Sequence, residues 1–136
     1  MSRFSEAGCR WAAAALLVIE VGGSAEKTEC LRALDDATAA TAKALSAFES
    51  KSGGDVAAAR NVLAAAGSAR THLESRKVSA FCEPSRGEEL IYLNHLTLGF
   101  TGWIAARSRR PPEDYDLVSV IRRARTHRER GRARLR

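Results

Sequence analysis

Leu31, Leu34, Thr38, Thr41, Leu45 and Phe48 recur at alternating steps of three and four residues. Only a helix brings such positions onto one stripe, and this spacing is the seam of an antiparallel helix pair. It predicts a helix over about 28–50. Ser50, Lys51 and the following Ser-Gly-Gly break it, and Asp55 offers an N-cap for the next helix. That second helix, over about 56–78, carries Val56, Ala59, Leu63, Ala66, Ala69 and Leu73 on one side, and its alanines permit close approach. Each helix is about 22 residues, or roughly 33 Å long, so the hairpin returns the chain to its starting end.

A short loop holding Cys82, Pro84 and Gly87 leads to the most apolar stretch, Leu90 to Ala106. Glu88 and Glu89 suit the positive N-terminal end of a third helix, and Arg107, Arg109 and Arg110 suit its C-terminus. A membrane span is one reading, but Asn94, His95, Thr97 and Thr101 favour a buried central helix. Pro111 and Pro112 end it. A fourth helix begins around Glu113, with Leu117, Val118, Ile121 and Ala124 facing inward. The expected fold is therefore all-α: a four-helix arrangement of one disulfide-closed hairpin and a second, more apolar hairpin.

The first residues bear on where such a chain resides. Arg3 and Arg10 precede an apolar run from Trp11 to Val21, followed by Gly22, Gly23, Ser24 and Ala25. A positive start, a short apolar segment and small residues make a secretory leader, with Gly23 and Ala25 at the cleavage positions and Glu26 as the new N-terminus. Glu20 within the run weakens the pattern, and an ordinary buried helix is the competing reading. The run is short of the ~20 residues that a membrane span needs. On this reading residues 1–25 are removed, 26–121 form the helical domain, and the location is periplasmic or secreted.

Removal of the leader takes Cys9 with it and leaves Cys30 and Cys82. An even cysteine pair in an oxidising compartment reads as a disulfide. The hairpin agrees, because it brings the open ends of the first two helices together. Such a bond closes a loop of about 52 residues and is worth roughly 4 kcal/mol on the chain-entropy account. Two buried free thiols are the alternative.

The net charge of +6 is concentrated at one end. Eight arginines and one glutamate over residues 122–136 exceed it, leaving the rest near neutral. Such a block is expected to be a flexible, solvated tail. Arg122, Arg123, Arg125, Arg128, Arg130 and Arg132 are its candidates for an anionic surface, such as phospholipid head groups or an acidic partner. Nucleic acid is disfavoured, since no aromatic residues are interleaved to stack on bases.

No set of residues converges on catalysis. His72, His95 and His127 lack the paired spacing of a metal site, and no Cys-x-x-Cys or Gly-rich phosphate loop occurs. Neither a metal nor any other cofactor is expected. His95 reads as a satisfied core histidine one turn from Tyr92. Gly99 and Gly102 read as close-packing positions, with Trp103 as a possible interface anchor. The loop residues Phe81, Glu83, Pro84 and Arg86, held beside the staple, complete the candidate partner-binding set. A small enzyme using His95 or His72 is a minor alternative, and a cytoplasmic regulatory protein that offers its arginines to nucleic acid or an acidic partner is the main one.

The order Phe81-Cys82-Glu83-Pro84, a polar turn, an apolar helix ending in Trp103, then Arg110-Pro111 and a last helix with Leu117, Val118 and Ala124 resembles periplasmic immunity proteins of type VI secretion amidase effectors. The similarity runs from about Val62 to Ala124. It implies a small, exported, disulfide-bonded helical protein that plugs the cleft of a cell-wall amidase and performs no catalysis itself. Members usually carry a second cysteine pair, which this chain lacks. The expected function is an exported protein-binding module, with inhibition as the finer possibility.

Overall fold

A computed structural model describes the backbone of residues 2–51 and 54–136, and the side chains of 23–51 and 54–136. Four helices account for nearly all of it: α1 (Ser2–Ser50), α2 (Val56–Ser75), α3 (Glu83–Ser108) and α4 (Leu117–Ala133). α1 packs on α2, α3 lies between α2 and α4, and the described residues contain no strand. The all-α hairpin arrangement is thus the fold.

α1 begins well before residue 28 and passes through Gly23–Ala25 without a break. No proline lies before Pro84, and isolated glycines lower helix stability by only about 1 kcal/mol each. The apolar run from Trp11 to Val21, with Cys9 and Glu20, lies outside the described side chains. The predicted seam is the buried face of α1: Leu34, Thr38, Thr41, Leu45 and Phe48 are all buried, and α1 packs on α2, whose Ala59, Val62, Ala66, Ala69 and Leu73 are buried too. Thr38 tolerates burial because its hydroxyl donates to the Leu34 carbonyl at 2.7 Å. Asp55 caps α2 as its position suggests, accepting from the amides of Ala57 and Ala58.

The Cys30–Cys82 disulfide is present, with Cα atoms 5.5 Å apart and both residues buried. It ties the middle of the long α1 to the residue just before α3. Three boundaries move. α2 ends at Ser75, three residues early, because Arg86 reaches back and donates to the carbonyls of Leu73 (3.1 Å) and Arg76 (3.0 Å). Those oxygens would otherwise stay unsatisfied at the helix end. α3 starts at Glu83, since Pro84 fits a first helical turn, so the expected loop at 83–87 is helical. α4 starts at Leu117, where Asp116 accepts from the Ser119 amide at 3.1 Å.

The largest correction concerns residues 122–136. They are not a flexible tail: α4 runs to Ala133, and Gly131, Arg132 and Leu135 are buried. Polar anchoring explains it. Arg132 donates through Nε to Glu89 at 2.6 Å and through Nη1 to Asp35 of α1. The Ser85 hydroxyl donates to the Gly131 carbonyl at 2.8 Å, and Arg134 donates to the Phe81 carbonyl. A charge run read as solvated is instead stitched to α1 and α3. Val118 is corrected in the other direction: expected to face inward, it is 66% exposed.

Candidate functional site

An open groove of about 800 Å³ lies where the end of α1, the α1–α2 turn, the last turns of α3 and the first half of α4 meet. Its floor is Phe48, Trp103, Leu117 and Ile121, all buried, and its rim includes Tyr115, Val118, Arg122 and Arg125. The floor is held by edge-to-face aromatic contacts: Phe48 meets Phe100 at 4.8 Å and Trp103 at 5.4 Å between ring centroids. The Arg107 guanidinium lies over the Trp103 ring, 4.7 Å from its centroid.

Two glycine positions set the groove's shape. Gly54 turns the chain at φ +75° and rests on the Trp103 indole, so any side chain there would overlap the ring. Gly99 lets α4 approach α3 closely enough that an added Cβ would collide with Val120, the close packing expected of it. The groove's charges are mixed. Arg125 is paired with Glu49 of α1, and Lys51 with Asp55. Arg122 lies on the rim and is exposed.

The partner-binding residues singled out in sequence do not form one surface. Trp103 is in the groove, whereas Phe81, Glu83, Pro84 and Arg86 lie at the opposite end of α3, about 25 Å away at 1.5 Å per residue. At that end the side chains serve the fold. Glu83 and Arg86 form a two-point ion pair at 2.8–3.1 Å, and the Phe81 ring lies under Arg134 at 5.4 Å. Tyr115 and Val118 line the groove instead. Val118 fits the apolar period of α4, and its exposure is visible only once the helix is docked.

The six candidate arginines divide likewise. Arg122, Arg123 and Arg130 are exposed, and Arg125 is exposed but paired with Glu49. Arg128 turns inward, 5.5 Å over the Tyr92 ring and 3.5 Å from Glu89, and Arg132 is only 7% exposed. Arg132 is held inside by the fully buried Glu89 carboxylate, and Arg128 is partly exposed with its Nε facing the same carboxylate. Burial raises the Glu89 carboxyl above its usual range, although Arg132 and Arg128 pull it down. Burial also opposes the charge on Arg132, but its bonds to Glu89 and Asp35 outweigh that and keep it firmly protonated.

His95 is half-buried rather than in the core, its Nδ1 2.9 Å from the carbonyl of Ile91. His72 is exposed on α2. Among the described residues no group of three or more His, Cys, Asp or Glu gathers to hold a metal ion, and no helix is long and apolar enough to cross a membrane. These features define a disulfide-tied four-helix protein with an aromatic-floored groove. The chain matches no protein-family model, no curated protein and no solved structure.

Proposed function

We propose that this chain is an exported, non-catalytic protein-binding module that receives an apolar side chain of its partner in the Phe48–Trp103–Ile121 groove. The observation that carries the reading is Val118, an aliphatic residue 66% exposed beside an aromatic floor and within reach of the Arg122 charge. Exposed apolar area rimmed by polar groups is what protein interfaces are made of, and aromatic residues and arginine dominate their energetics. The Cys30–Cys82 bond supports an oxidising compartment, and the Arg3-to-Ala25 pattern supports a secretory route. The resemblance to amidase immunity proteins makes inhibition of a cell-wall amidase the finer form of the proposal, with an apolar segment of the enzyme as the occupant.

The experiment has two arms. Intact-mass analysis of protein from the envelope fraction should give a chain beginning at Glu26; one beginning at Met1 or Ser2 would remove the export claim. Immobilised wild type should retain a partner from the same fraction that the Val118→Glu variant loses. A partner retained equally by both would place recognition elsewhere. Exposed Arg122, Arg123 and Arg130 favour the alternative, a cytoplasmic protein that offers them to nucleic acid or an acidic partner. Salt-sensitive binding lost on charge reversal of those three, and unaffected at Val118, would select it.

A further inference from the structure

Two imidazoles separated by 32 positions in the chain meet on the α3–α4 face, and neither lines the groove. We propose that His95 and His127 form a two-imidazole binding site for a borderline first-row transition-metal ion, with Zn²⁺ the fitting species. The ring centroids are 5.0 Å apart and the planes are tilted by 36°. Two imidazoles bound through nitrogen to one tetrahedral zinc, each about 2.0–2.1 Å from the ion, place their centroids about 5 Å apart.

The tautomers favour the same chemistry. His95 Nδ1 lies 2.9 Å from the Ile91 carbonyl, and His127 Nδ1 lies 2.9 Å from Glu88 Oε2. Both partners are acceptors, so in each neutral ring Nδ1 carries the proton and Nε2 carries the lone pair. Carboxylate and carbonyl partners behind the ring are the usual outer support of a metal-bound histidine, fixing its orientation and raising its basicity. The His127 side chain is 27% exposed, which leaves the site open to solvent. Imidazole nitrogen selects zinc, copper or nickel over calcium or magnesium. With two ligands from the chain, the remaining positions belong to water or to a donor on a bound partner.

Zinc chloride titrated calorimetrically into the full chain should bind at one equivalent. His95→Ala and His127→Ala should each weaken binding by at least about tenfold, and Glu88→Gln by about tenfold through loss of the outer-shell carboxylate. His72→Ala should leave it unchanged. Long-range ¹H–¹⁵N spectra of the wild type give a readout that needs no variant: the Nε2 resonances of His95 and His127 should move on zinc addition while their Nδ1 resonances keep the proton. Absence of binding to the wild type, binding that survives both His95→Ala and His127→Ala, or zinc-induced shifts confined to His72 would each overturn the proposal.

Discussion

Glu89 of α3 is fully buried and accepts a hydrogen bond at 2.6 Å from the Nε of Arg132, which lies in the last turn of α4. The pair joins the most apolar helix of the protein to its most basic segment, and Asp35 of α1 joins it from the other side. It is the reason that a run of arginines ends as a docked helix.

Deleting residues 128–136 removes the buried Leu135 together with Arg132 and Arg128, the two ion partners of Glu89. We expect a loss of at least about 3 kcal/mol, since breaking a buried ion pair typically costs about that much and the lost apolar burial adds to it. Thermal unfolding followed by circular dichroism should fall by about 10 °C or more. A melting temperature within about 2 °C of the full chain would show that the segment contributes little to the fold.

Glu89→Leu alone should destabilise by about 3–5 kcal/mol, because the Arg132 guanidinium would stay buried opposite an apolar side chain. The double variant Glu89→Leu with Arg132→Met should recover most of that loss, as replacement of a whole buried pair is often neutral. Urea unfolding of the wild type and of three variants (each substitution alone and both together) completes the cycle. Strict additivity of the two losses would contradict a direct pair.

Stability should also carry a signature of Glu89 ionisation. Folded Glu89 holds its proton to higher pH than it does in the unfolded chain, because burial raises it. The unfolded state therefore binds fewer protons, and the contribution of this group falls as pH rises from about 4.3 through the folded value. The stability of the wild type minus that of Glu89→Gln should decline over that window. A difference that grows with pH would mean that Arg132 and Arg128 outweigh burial.

Cys30→Ser with Cys82→Ser should lower stability by roughly 2–4 kcal/mol, and reductant should do the same to the wild type. Thiol titration of the non-reduced, denatured protein should find neither cysteine free. Two reactive thiols at these positions would refute the bond.

Much of the architecture was legible in the sequence because it depends on local periodicity. The seam from Leu34 to Phe48 and the apolar face from Ala59 to Leu73 follow from the helical repeat alone, and Asp55 marks its helix start by its own side-chain chemistry. The Cys30–Cys82 bond was legible too, because a turn midway between the cysteines folds α2 back along the second half of α1. What escaped were the contacts that pair residues distant in the chain. Arg86 closing α2, Arg134 on Phe81, Arg132 against Glu89 and His127 against His95 span between 10 and 53 positions. Periodicity says which face of a helix is apolar; it does not say which charged residue on another helix will meet it. That is why the arginine run reads as solvated in sequence and is docked in the fold. Likewise, Val118 reads as core by its spacing but lines an open groove, because the α3–α4 packing covers Leu117 and Ile121 and leaves their neighbour uncovered.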